Sequence, residues 1–240
     1  MPERVGGAPV LLVEDLHAYY GDSHVLQGCT LTIGRECVTV LGRNGMGKTT
    51  LLRAIIGLTP PRSGHVLMDG QDVAGLTPYE IAAHGIGYVP QGRRLFPSLT
   101  VEEHLKLTYA PSDRPNEWTP ERVFELFPEL ADRRRISGTR LSGGEQQMLA
   151  IGRALVTNPQ ILLLDEPSEG LSPMANERVI ETCRALQRDG LAILLVEQSI
   201  RVAEALADRI YVIVGGRTVH ESPARVFLED LGLRQRYLGV

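Results

Sequence analysis

Lysine is almost absent from this chain: of its 25 basic residues only Lys48 and Lys106 are lysines. Any place that keeps a lysine is therefore worth locating. A basic surplus is lacking as well, because 29 acidic residues leave a formal net charge of -4. Proteins that hold nucleic acid draw much of their affinity from a basic stripe that neutralises phosphates, and no such stripe is evident, so nucleic acid is not an expected partner. Cysteine is scarce. Cys29, Cys37 and Cys183 are odd in number and have no Cys-x-x-Cys spacing, which argues against a disulfide framework or zinc site and favours a reducing compartment. They read as small buried apolar residues. Long apolar runs are missing too: 161–164, 191–196 and 210–214 are far shorter than the about 20 residues of a spanning helix. The short run from Pro9 to Val13 meets Glu14 and Asp15 at once and has no basic segment before it, so no signal peptide is expected.

What is present suits one large α/β domain. The 240 residues are 43% hydrophobic and 22% charged, with a mean hydropathy of -0.05, values ordinary for a globular chain with a sizeable core. Strand-like segments at 10–13, 27–33, 37–41 and 65–68 surround a Gly-rich turn and predict a small β-rich lobe. A helix is expected from Lys48 through Gly57. Further on, apolar strands at 86–89, 161–164, 191–196 and 210–214 alternate with helical stretches, the pattern of a parallel sheet covered on both faces. From about 100 to 158 the strand signal disappears. Thr100 with Glu103 forms a capping box, and Thr119-Pro120-Glu121 sets a cap, a first-turn proline and an acid, so an inserted helical lobe is expected. Ser172-Pro173 opens a helix that Gly190 closes, and Ser222-Pro223 is expected to open the last one.

The retained Lys48 lies in Gly42-Arg43-Asn44-Gly45-Met46-Gly47-Lys48-Thr49, followed by Thr50. This matches the phosphate-binding loop, and it stands between a strand and a helix as that loop must. Glycines let backbone N–H groups converge on phosphate, the helix N-terminus adds partial positive charge, Lys48 reaches the β- and γ-phosphates and Thr49 ligates magnesium. The run Ile161 to Leu164 ends in Asp165 and Glu166, at the sheet edge where α/β proteins bind ligands. Asp165 is expected to hold magnesium through water and Glu166 to polarise the attacking water. Acids at a strand end are often a solvated turn, but the phosphate loop makes that reading weak here.

Leu141-Ser142-Gly143-Gly144-Glu145-Gln146-Gln147 resembles the signature motif of ABC ATPases. Physically it is a serine and two glycines at a helix start, again an anion site. The resemblance covers nearly the whole chain. It implies an ABC ATPase domain spanning 1–240: a RecA-like parallel-sheet core, an antiparallel β lobe and an inserted helical subdomain at about 92–158. It implies that Ser142, Gly143 and Gly144 grip ATP bound to an opposing subunit, that Gln91 contacts magnesium and water, and that an aromatic residue stacks on adenine. Tyr20 matches that aromatic, although Tyr19 is adjacent and neighbours on a strand face opposite ways. Gln198 stands where most ABC ATPases carry a histidine that touches the γ-phosphate. An amide can hydrogen-bond there but cannot carry a proton as imidazole does.

The text from Val89-Pro90-Gln91 to Val101-Glu102-Glu103, that from Glu166 to Pro173, Val196-Glu197-Gln198 and the terminal Tyr237-Leu238-Gly239 are similar to the ATPases of branched-chain amino-acid importers, of the LivF type. This implies Mg-ATP as fuel, a second ABC ATPase subunit (a LivG-like heterodimer, or a homodimer), and two integral-membrane permease subunits. A periplasmic or lipoprotein substrate-binding protein is implied indirectly, with the chain at the cytoplasmic face of the membrane. Urea or short-chain amide importers carry similar ATPases and stay open as an alternative, as does a soluble ABC ATPase not engaged in transport. A regulator without turnover is disfavoured by the intact Lys48, Asp165 and Glu166.

Overall fold

The computed structural model describes residues 8–112 and 117–239. Its N-terminal part is an antiparallel sheet of β1 (Leu11–Tyr20), β2 (Ser23–Ile33), β4 (Ser63–Met68) and β5 (Gln71–Asp72), in the order β2-β1-β4-β5. In β1 the residues Leu11, Val13, Leu16 and Ala18 are all fully buried. The odd step from Val13 to Leu16 is absorbed by a bulge: the pairing with β2 shifts there, and Asp15 takes a left-handed φ of 46°. A bulge inserts one residue without turning the rest of a strand inside out. The strand therefore runs on past Glu14 and Asp15, where the sequence had suggested that it stops.

The second sheet is the core, built of β3 (Cys37–Leu41), β6 (Ile86–Val89), β7 (Ile161–Asp165), β8 (Ala192–Glu197), β9 (Arg209–Val214) and β10 (Arg217–Pro223). Its order is β10-β9-β3-β8-β7-β6, and every pairing is parallel except that of β10 with β9. All residues of β3, β7 and β8 are buried, as expected when both faces are covered. This corrects the placing of 37–41 in the β-rich lobe: with no polar alternation, it belongs in the covered sheet. Val38, Val40, Leu163 and Leu194 pack with α1 (Lys48–Ile55) and the antiparallel sheet, whereas Leu162, Leu164, Ile193 and Leu195 join the opposite core with α6 (Gly143–Leu155) and α7 (Pro173–Arg188). The alternation within each strand sends neighbours to opposite cores.

Among the described residues no strand lies between β6 and β7. That stretch holds α3 (Val101–Thr108), α4 (Pro120–Leu126), α5 (Pro128–Ala131) and α6, with side-chain caps at Thr100, Thr119 and Ser142. Its apolar faces merge with the sheet through Leu105, Phe127, Leu130 and Leu149. A third cluster, with Leu41, Ala203, Val212 and Phe227, ties α8 (Ile200–Leu206) and α9 (Ala224–Glu229) to the β10 edge. The chain does not end on the helix opened at Ser222-Pro223. Ser222 is the penultimate residue of β10, its hydroxyl is hydrogen-bonded to His220, and α9 starts without a side-chain cap; the last helix is α10 (Leu231–Tyr237), capped by Asp230. Similarly, α1 ends at Ile55 rather than Gly57, whose left-handed φ of 73° closes it. The short α2 (Pro78–Ala83) packs beside β6. Among the described residues no helix is long and apolar enough to cross a membrane.

Candidate active site

The phosphate loop links β3 to α1 at the carboxyl edge of the core sheet, where parallel strands direct their ends at ligands. Gly47 is the N-cap of α1 and has a φ of 101°, a conformation open to glycine and costly for residues with a Cβ. At Gly42 a Cβ would lie 2.6 Å from the Ile213 carbonyl oxygen of β9, so the chain passes too close to its neighbour for any side chain. Met46 packs on the core below, and its carbonyl accepts from the Gly216 N–H. The loop is thus tied to the turn after β9, and its own Met46 N–H closes a turn on the Arg43 carbonyl at 3.3 Å.

Lys48 is only 4% exposed. Its ammonium group donates to the Gly42 carbonyl at 2.9 Å and the Arg43 carbonyl at 3.3 Å, and pairs with Glu166 at 3.2 Å. The Thr49 hydroxyl donates to Asp165 Oδ1 at 3.0 Å, and the Tyr88 hydroxyl donates to Oδ2 at 3.1 Å. Burial raises the pKa of the Asp165 carboxyl, an effect that the hydrogen bonds from Thr49 and Tyr88 oppose. Burial likewise pushes the Tyr88 phenol well up, so it stays a donor. Glu166 follows β7 with a left-handed φ of 47°. Gln198 Nε2 donates to both Glu166 carboxylate oxygens at 3.0 Å. The Glu166 carboxylate is therefore held between an ammonium and an amide.

A pocket of about 400 Å³ lies over this arrangement. Of the residues expected from sequence, Asn44, Gly45, Gly47, Lys48, Thr49, Thr50, Gln91 and Glu166 line it. Gly42, Arg43 and Met46 belong to the same loop but do not line the pocket. Asp165 and Gln198 do not line it; they touch its lining residues Thr49 and Glu166. Two lining residues had not been foreseen, Val25 and Glu169. Glu169 accepts a 2.6 Å hydrogen bond from Gln91 Nε2; the only sequence signal for it was its nearness to Glu166. Ser142, Gly143 and Gly144 begin α6 outside this pocket, where Ser142 and Glu145 cap each other. Tyr20 is 45% exposed. It receives a hydrogen bond from Thr59 at 3.3 Å and sits beside the Arg53 guanidinium, and it does not line the phosphate pocket.

The donor set suits a hard divalent cation that arrives with a polyphosphate. A hydroxyl and one carboxylate are in contact, and no group of three or more histidine, cysteine or acidic residues capable of holding a metal alone exists among the described residues. Magnesium uses such sparse protein ligation because nucleotide phosphates complete its shell.

A glycine loop on a helix start, a buried lysine, a strand-end acid pair and a separate serine-glycine helix start define a phosphate-loop nucleotide hydrolase on an α/β core. Residues 26–169 match the ABC transporter family. The chain belongs to that family, and as an ABC transporter ATPase it binds and hydrolyses ATP. It is 40% identical to the high-affinity branched-chain amino acid transport ATP-binding protein BraG of Pseudomonas aeruginosa, over 96% of this chain and all of the relative. It is 38% identical to the probable branched-chain amino acid transport ATP-binding protein LivF of Archaeoglobus fulgidus, over 94% and 97%. A solved dimeric ATP-binding cassette in a post-hydrolysis state, bound to ADP and Pi, superposes with a TM-score of 0.76 at 28% identity, over 90% of this chain and 99% of that one. Proteins of this family dimerise and work with membrane permease subunits.

Proposed function

We propose that this chain powers import of branched-chain amino acids, working at the cytoplasmic face of the membrane as one of two cassettes on a pair of permease subunits. The observation that carries this reading is the full-length 40% identity to BraG. A related but distinct LivG-like cassette is the proposed partner, with a periplasmic or lipoprotein binding protein delivering cargo from the far side. Residues 1–240 form a single nucleotide-binding domain with a helical subdomain at about 92–158.

In this reading the phosphate loop from Gly42 to Thr50 wraps the phosphates, and Lys48 turns its ammonium to the β- and γ-oxygens. Thr49, Asp165 and Gln91 would hold Mg2+, which neutralises phosphate charge when bound. Glu166 orients water and accepts its proton at a carboxylate oxygen, while Gln198 fixes that carboxylate and reaches the γ-phosphate. Tyr20 is proposed to stack on adenine. Ser142, Gly143 and Gly144 are proposed to complete the site of the opposing cassette. Purifying the tagged chain from native membranes and identifying what comes with it tests the assembly. A second cassette and two permeases are expected; recovery of the chain alone, or with ribosomes or DNA, would overturn the proposal.

A further inference from the structure

Glu197 ends β8 and is only 2% exposed. Among the described residues it forms no ion pair, so it is a buried carboxylate without a counter-ion. Such a group is costly unless hydrogen bonds replace its hydration. The replacement is specific. Oε1 accepts the Ser168 N–H at 3.2 Å, and Oε2 accepts the N–H groups of Gln198 at 3.1 Å and Ser199 at 3.3 Å. These donors belong to two different loops, one carrying Glu166 and the other carrying Gln198. The loops meet again beside this point, where the Glu166 N–H donates to the Val196 carbonyl at 2.9 Å.

We propose that Glu197 is a positioning residue for hydrolysis: its buried carboxylate clamps the loop after β7 to the loop after β8, and so sets Gln198 against Glu166. The inference rests on Glu166 and Gln198 acting in turnover. Burial alone would be met at this position by an apolar side chain, like those at Leu194, Leu195 and Val196 beside it in β8. An apolar residue would leave the Ser168, Gln198 and Ser199 amides unpaired, with the two loops joined there only through the Glu166 N–H and the Val196 carbonyl. The carboxylate spends no contact on the nucleotide pocket, which it does not line. Its effect must pass through the 3.0 Å contacts between Gln198 and Glu166. A glutamine at 197 has one acceptor oxygen and would turn an NH2 group toward a backbone N–H, so it can serve one loop but not both.

The test compares wild type, Glu197→Gln, Gln198→Ala and the double variant of the full chain, measuring ATP turnover, ATP affinity and amide hydrogen exchange. Glu197→Gln is expected to lower kcat by roughly 10- to 100-fold, the usual scale for a group that orients a reacting residue, with KM for ATP little changed. Exchange at 167–169 and 198–199 should speed up without nucleotide present, while the rest of the sheet keeps its protection. In the Gln198→Ala background the substitution at 197 should add little further loss, because residues acting in series are not additive. If the two losses multiply, or if Glu197→Gln turns over like wild type, the clamp is refuted while Gln198 keeps its role. If Gln198→Ala alone turns over like wild type, the reading of Gln198 fails and the clamp with it. Should Glu197→Gln fail to fold, Glu197→Asp replaces it, keeping the charge on a stem one methylene shorter. The same non-additivity with Gln198→Ala is expected there, and independent effects would overturn the proposal.

Discussion

Replacing Glu166 with glutamine separates holding ATP from hydrolysing it. In the structure the carboxylate faces Lys48 at 3.2 Å, and both side chains are buried. The phosphate loop does not depend on it, because Lys48 keeps the Gly42 and Arg43 carbonyls as acceptors. Nor does the backbone, since glutamine meets the φ of 47° at the same steric cost as glutamate. What is lost is an acceptor for the proton of water. A positioned general base contributes about 10²- to 10⁴-fold, or about 3–5 kcal/mol of barrier. Binding moves the other way. A carboxylate this close to Lys48 competes with phosphate, and two unit charges about 4 Å apart interact by about 4 kcal/mol at an effective dielectric constant of 20. Removing it should leave ATP affinity equal or higher. The assay is single-turnover phosphate release paired with equilibrium binding of a fluorescent ATP analogue. Loss of hydrolysis and binding by one common factor would show that Glu166 serves to place Lys48, and hydrolysis near the wild-type rate would remove it from the chemistry.

Other substitutions probe the surrounding shell. Gln91 Nε2 is taken up by Glu169 at 2.6 Å, which leaves the amide oxygen as the end free for a metal, so Glu169→Leu should raise the Mg2+ concentration needed for half-maximal turnover several-fold, with KM for ATP at saturating metal unchanged. In Gly42→Ala a Cβ would be forced to 2.6 Å from the Ile213 carbonyl; about 1–3 kcal/mol of stability should be lost to overpacking, and a thermal melt should show less added stability from ATP than in wild type. His104 is buried, accepting the Phe96 N–H at Nε2 and donating from Nδ1 to the Thr100 carbonyl, and burial lowers its pKa. A histidine depressed in the fold stabilises above its ordinary value of about 6.5 and less so as pH falls below it. The melting temperature of wild type should therefore drop more steeply between about pH 6.5 and 5 than that of His104→Gln; parallel curves would refute this.

The sequence was most readable where one physical demand dominates. The apolar runs 161–164 and 191–196 lie within a residue of β7 and β8, because a strand covered on both faces has no polar residue to blur it. It was least readable at exposed or bulged elements. β10 is an edge strand with only Ser222 buried, and its one local sign was the Gly215-Gly216 turn that joins it to β9. α2 has a single buried residue, Ile81, and so no apolar period, though Thr77 and Glu80 formed a capping box that could have marked it. In β1 the bulge at Asp15 broke the alternation. Within the site, residues that act through their own chain position were visible, since the phosphate loop needs its glycines and lysine consecutively. Glu197 and Glu169 act on other segments across the fold, 29 residues from Ser168 in one case and 78 from Gln91 in the other, and no spacing rule reaches that far.

The start of α6 lies outside the chain's own phosphate pocket. Ser142 and Glu145 satisfy each other at the start of α6, yet the N–H groups of Gly143 and Gly144 have no hydrogen-bond partner among the described residues. Both glycines also keep neighbours near: a Cβ at 143 would meet the Arg93 guanidinium at 3.3 Å, and one at 144 would meet Ala175 at 3.0 Å. The start of this 13-residue helix therefore keeps free donors and a partial positive charge, and it does not line the chain's own phosphate pocket. A donor set of that kind suits an anion carried by another molecule, the role proposed above for Ser142, Gly143 and Gly144. The dimeric relative bound to ADP and Pi supports the view that the other molecule is a second cassette. Each chain would then hold nucleotide through its loop and close its partner's site through α6. Turnover would depend on the two cassettes meeting, which is how hydrolysis can be kept in step with movement of the permeases.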